Sequence, residues 1–138
     1  MSLISMSLKP VVILAETLPV GLKANFAAVL AMTLGRRLPD LVGPDTPTGD
    51  GIPLPGITTV ALPILGAPPA ELPRLFLDAE GLPLRLVYMR SAFEARSYED
   101  YTLRIASRPL PEHEPQALLL AGPRKAVDRL CGRLALVR

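Results

Sequence analysis

Two short segments near opposite ends of the chain carry the residues best suited to hold an anion. In the first, Val11-Val12-Ile13-Leu14-Ala15 leads through Glu16 and Gly21 to Lys23 and Asn25. In the second, Ala117-Leu118-Leu119-Leu120 leads through Gly122-Pro123 to Arg124 and Lys125. Each places glycine and a cation at the start of an expected helix, directly after an expected strand. Free backbone N–H groups and the macrodipole at a helix N-terminus attract phosphate or carboxylate. Open α/β sheets bind ligands outside the carboxyl ends of their strands. The expected ligand-binding set is therefore Lys23, Asn25, Arg124, Lys125 and Glu16, meeting at one rim of a common sheet around a phosphate- or carboxylate-bearing ligand. Glu16 is read first as the ion-pair partner of Lys23; burial would instead make it a general base. The alternatives are a solvated lysine at a helix start and, at Gly122-Pro123, a helix opening that binds nothing.

Other reactive side chains point away from chemistry. His113 is the single histidine and lies among Pro111, Glu112, Glu114 and Pro115, with no spaced His or Cys set, so no metal is implied. Cys131 shares a helical stripe with Val127 and is read as buried rather than nucleophilic. Asp45, in a long proline-rich loop, is read as a turn residue, with closure over the anion site as the alternative. No Gly-x-Ser-x-Gly, phosphate-loop lysine motif or complete dinucleotide fingerprint occurs, so no cofactor is implied and no residue receives a catalytic role.

The elements that must position these residues alternate between strand and helix. Met1 to Leu8 reads as a loose terminus, and 9–138 as one domain. Pro10 to Ala15 is an unbroken apolar run, as in a strand buried on both faces. Leu22, Phe26, Val29, Leu30 and Thr33 then recur at helical spacing up to Gly35, taken as the residue after the helix. Proline and glycine dominate 36–56 and exclude long regular elements there. Ile57 to Leu65 reads as a strand at an edge or broken at Pro63. After Pro68-Pro69, the stripe Leu72, Leu75, Phe76 and Ala79 marks a helix that admits Pro73 only in its first turn. Leu84 to Met89 is a further strand, and Ser97 caps a helix carrying Tyr98, Tyr101 and Ile105. Gln116 to Ala121 is a strand, Pro123 opens a last helix, and Leu134 to Val137 closes as a short strand. The class is α/β: a mixed four- to five-stranded sheet with helices on both faces, in a single domain.

At 138 residues the chain supports one core, and 49% hydrophobic against 20% charged residues excludes global disorder. Glu16, Pro19 and Lys23 interrupt the N-terminal apolar run well short of the ~20 residues of a membrane span. Neither a signal peptide nor a membrane partner is expected. One cysteine permits no internal disulfide and fits the cytoplasm. The net charge of +2 is small but uneven, with seven basic and three acidic residues from Leu103 to Arg138. A basic half of that kind attracts phosphates, or is simply a solvated surface.

Several segments resemble an uncharacterised bacterial family of unknown function: Glu16 to Asn25, Leu41 to Asp45, Gly56 to Thr58, Tyr98 to Tyr101 and Ala121 to Gly132. That family is similar in fold to the type II peptidyl-tRNA hydrolases. The hydrolases carry Gly-Lys-x-Ala-Ala-Gln-x-x-His in their first helix; Lys23 matches the lysine, while Ala27 stands in place of Gln and Leu30 in place of His. Their Asp-Ala-Gly-Arg-Thr turn is replaced by Tyr88-Met-Arg-Ser-Ala92, without a carboxylate. Because the basic helix starts survive while the hydrolases' polar residues do not, the chain is read as a small cytoplasmic small-molecule or anion-binding module, expected to be a homo-oligomer and specifically a homodimer. The alternative is an RNA-directed hydrolase with an altered site, holding tRNA through its basic half.

Overall fold

A computed structural model describes residues 8–138. In chain order it contains β1 (Leu8–Ala15), α1 (Val20–Arg37), β2 (Thr46–Pro47), β3 (Pro53–Leu54), β4 (Ile64–Ala67), α2 (Leu72–Asp78), β5 (Leu84–Met89), α3 (Arg90–Glu94), α4 (Tyr98–Ala106), β6 (Pro115–Pro123) and α5 (Arg124–Cys131). The main sheet has the order β4-β1-β6-β5. Its centre is the antiparallel pair β1–β6, in register from Leu8↔Pro123 to Leu14↔Ala117. β4 lies parallel to β1 and β5 antiparallel to β6, so the sheet is mixed.

Alternation along the central strands divides the core. Val11, Ile13, Leu118 and Leu120 face the side covered by α2 and α5, packing with Leu72, Leu75, Val127 and Cys131. Val12, Leu14, Ala117 and Leu119 face α1, whose Phe26, Ala27, Leu30 and Leu34 recur at helical spacing. With both faces covered, an unbroken aliphatic run is the pattern such strands require. The expected mixed sheet with helices on both faces is what forms.

Several boundaries differ from the sequence reading. Met1 to Ser7 of the expected loose terminus lie outside the described residues, whereas Leu8 is already in β1 and buried. Gly35 does not end α1; the helix runs a further turn to Arg37, where Arg36 and Arg37 complement its C-terminal dipole. Residues 57–62 are irregular and the strand begins only after Pro63, which has no N–H for the ladder. The expected closing strand is reduced to one antiparallel bridge, Leu65↔Leu136, flanked by hydrogen bonds from the Gly66 N–H to the Ala135 carbonyl and from the Val137 N–H to that of Ile64. That strip covers the outer edge of β4.

The long loop between α1 and β4 is pinned to itself. Leu41 is buried against the α1 face, and the Gly43 N–H bonds to the Ile57 carbonyl. Chains cross so closely here that a Cβ on Gly56 would lie 1.8 Å from the Gly43 carbonyl oxygen. Backbone cannot give way as a flexible side chain can. Gly56→Ala is therefore expected to lower stability by about 1–3 kcal/mol. Gly35→Ala, in a helix interior with no neighbour within 4 Å of the added carbon, is expected to raise it by about 0.5–1 kcal/mol. Urea unfolding of the two variants checks both signs.

Candidate functional site

The register of β1 and β6 separates the residues that the sequence reading put together. β1 and β6 are antiparallel, so the end of β1 lies beside the start of β6 and the end of β6 beside the start of β1. Glu16, Lys23 and Asn25 follow β1 at one end of the sheet; Arg124 and Lys125 follow β6 at the other, next to Leu8 and Lys9. At about 3.4 Å per residue, the six steps of register between these ends span roughly 20 Å. The composite site at one rim does not form.

Each half has its own geometry. α1 begins at Val20 with Pro19 as its cap, no capping side chain and no acidic residue in its first turn. Lys23 is half-buried there and Asn25 exposed. The expected Glu16–Lys23 ion pair is absent among the described residues. Instead, the Glu16 N–H extends the β1–β4 pairing to the Ala67 carbonyl, carrying this residue toward Gly66. At the opposite end, Leu8, Lys9, Val60, Pro63, Arg124 and Lys125 line an open cleft of about 660 Å³. Lys9 there is paired with Asp128. Gly122 serves packing rather than ligand approach, because a Cβ added there would lie 2.8 Å from Leu82 Cδ2.

A different cleft gathers more chemistry. Val29, Leu30 and Thr33 of α1, Leu86 to Tyr88 of β5 and Ala92 of α3 form its walls. Ala95, Arg96, Ser97, Tyr98 and Tyr101 complete it, around about 430 Å³. All three tyrosines of the chain converge here. Tyr88 stacks on Phe26 with ring centroids 4.0 Å apart, and Tyr98 lies 5.4 Å from Tyr101. Arg96 makes no ion pair among the described residues, whereas nearby Arg90 and Arg104 are both matched with glutamates. Burial pushes the phenols of Tyr88 and Tyr101 above the ordinary tyrosine value, and a neighbouring phenol adds to each. At neutral pH both are hydroxyl donors.

The sequence pattern builds this wall locally. The Ser97 hydroxyl accepts from the Asp100 N–H, and the Asp100 carboxylate accepts from the Arg96 N–H, a reciprocal cap that fixes the start of α4. The Arg96 N–H and Arg104 guanidinium hold the Asp100 carboxyl below its usual range. α4 nevertheless buries no residue. A further cavity of about 230 Å³ lies against it and shares Val87 and Tyr101 with the tyrosine cleft. The Ser97 cap, the helix carrying Tyr98 and Tyr101 and the strand carrying Tyr88 are legible in sequence; that Val29, Tyr88 and Arg96 meet at one cleft is decided only by tertiary packing.

Cys131 is buried, its thiol donating to the Val127 carbonyl, and burial pushes its pKa up, which suits packing. No group of three or more potential metal ligands clusters among the described residues, and no described helix is long and apolar enough to cross a membrane.

The profile of a family described as "Protein of unknown function (DUF2000)" matches residues 8–138. The resemblance to a family of unknown function is thereby borne out. A solved structure of a protein of unknown function from Agrobacterium tumefaciens strain C58 is similar in fold, with a TM-score of 0.86 and 16% identity over 96% of this chain and 98% of that one. No curated protein matches the chain.

The half-buried phenols of Tyr88 and Tyr101 set an alkaline limit. A phenol whose folded pKa lies above its unfolded value of 10.0 contributes stability that is fully present below that pH and is lost as pH rises through the folded value. Urea midpoints followed into the alkaline range are expected to fall for the wild-type chain and to fall less for Tyr101→Phe.

Proposed function

We propose, from the premise that this chain belongs to the DUF2000 family, that it is a small-molecule-binding module whose ligand lies in the tyrosine-lined cleft. The observation that carries this reading is the convergence of three tyrosines and an ion-pair-free arginine on one apolar cleft. Its volume falls within the range of ligand sites, roughly 300–1,000 Å³. Apolar walls and aromatic faces suit a flat hydrophobic body. The phenols offer directional hydrogen bonds, and Arg96 suits a carboxylate or phosphate at the mouth. The anion of the sequence reading is thus retained, but its cation is Arg96. Operation in the cytoplasm and a homodimeric state remain part of the proposal; a sedimenting species of twice the chain mass supports the latter.

The second reading, an RNA-directed hydrolase on a peptidyl-tRNA hydrolase-like fold, draws support from the basic cleft of Lys9, Arg124 and Lys125. Against it, Ala27 and Leu30 are packed in the core, where the hydrolases have polar residues. That reading requires tRNA binding that weakens steeply with salt and peptide release that is lost in Lys23→Ala.

The chain has no tryptophan, so its intrinsic fluorescence comes from tyrosines that all line the cleft. Titration with benzoate and phenyl phosphate is expected to change it saturably. Arg96→Ala is expected to weaken both by about tenfold, the scale of one charge-assisted contact. No saturable change with either compound sinks the cleft; equal affinity in the variant sinks the role of Arg96.

A further inference from the structure

Main-chain groups at the free edge of β5 take no part in the function above. The Val12 N–H donates to the Pro63 carbonyl and the Glu16 N–H to the Ala67 carbonyl. Even-numbered residues of β1 therefore turn their N–H and C=O toward β4, and odd-numbered residues toward β6. Ile13 stands opposite Leu118, so Leu118 bonds to β1 and its neighbours Ala117 and Leu119 bond to β5. There they meet Tyr88 and Leu86. Val87, between these two, consequently directs both its N–H and its C=O away from the sheet. β5 is an edge strand, and neither group has a main-chain partner among the described residues.

The tyrosine cleft reaches this edge. Leu86 and Tyr88 pack on the α1 side of the sheet and Val87 on the opposite side, as alternation along a strand dictates. A cavity confined to one face touches alternate residues. This cleft touches Leu86, Val87 and Tyr88 in succession, so it wraps the edge where the Val87 main chain lies. Arg96 is the one charged residue among its described lining residues. Unpaired edge groups are a template for a further strand, and peptides recognised in this way gain affinity from main-chain hydrogen bonds. We propose that the ligand of the tyrosine cleft is a short peptide ending in a free carboxylate, paired in extended form with the N–H and C=O of Val87 and held at its carboxylate by Arg96. This inference rests on the cleft being the ligand site and names the chemistry of what fills it.

Hydrogen exchange at single amides tests the pairing. In the free protein the Val87 amide is expected to exchange quickly and that of Leu86, bonded to β6, slowly. Saturation with N-acetyl-phenylalanylleucine is expected to slow Val87. The ester analogue, with oxygen in place of both peptide N–H groups, is expected to bind about fivefold more weakly, and the C-terminal amide about tenfold more weakly. Val87→Pro removes the outward N–H at a position where an edge strand accepts proline. This variant is expected to bind the peptide about fivefold more weakly and benzoate as the wild type does. Benzoate binding without peptide protection of Val87, or equal affinity for peptide and ester, overturns this inference and leaves the small-molecule site standing. Failure of both peptide and benzoate to bind overturns the two together. Protection of Val87 that grows with protein concentration in the absence of peptide puts a second copy on the edge, and overturns the peptide.

Discussion

The antiparallel pairing of β1 with β6 is the constraint from which the rest of the molecule follows. Both strands are apolar on both faces, so their backbone groups find partners only in each other and in their flanking strands. β4 runs with β1, and β5, antiparallel to β6, also runs with β1. Three strands therefore deliver their carboxyl ends, and the starts of α1, α2 and α3, to one end of the sheet. β6 alone delivers its own to the other. That single reversal isolates Arg124 and Lys125 from Lys23, although the two strand-to-helix turns look alike in sequence.

The same sheet creates the tyrosine cleft by leaving β5 at its edge. Central strands are covered by long apolar helix faces, with Phe26, Leu30 and Leu34 on one side and Leu72, Leu75 and Val127 on the other. At the edge, α4 is held by its cap and by exposed ion pairs rather than by buried apolar surface. Exposed pairs contribute little. Stability is thus concentrated in β1, β6 and α1, and the tyrosine cleft lies where packing is thinnest.

Legibility in the sequence tracked the range of the interaction involved. The apolar run Val11–Ala15, the β5 span Leu84–Met89, the Ser97 cap and Pro73 in a first turn are all decided within a few residues, and all were readable. The extension of α1 past Gly35 was not, because Leu34 and Leu38 continue packing on the α1 face of the core, and glycine's modest helix penalty is outweighed. Residues 57–62 carry β-branched side chains and still form no strand, since the Gly43–Gly56 crossing dictates their path. His113 showed only its isolation among prolines; its buried, half-satisfied ring depends on carbonyls of α4 and the following turn.

What the chain's own order of residues determined was the class of fold: alternating strands and helices, two strands buried on both faces, one cysteine committed to packing. Periodicity and capping are local, and they act before any tertiary contact exists. What only the folded molecule decided was which ends meet. Strand direction within a sheet depends on hydrogen bonds between residues a hundred positions apart, and nothing in Gly21–Lys23 or Gly122–Arg124 encodes the direction of the partner strand. The cleft of Tyr88, Arg96, Tyr98 and Tyr101 exists for the same reason: edge position, a property of the sheet order, left these side chains facing space that no core residue fills.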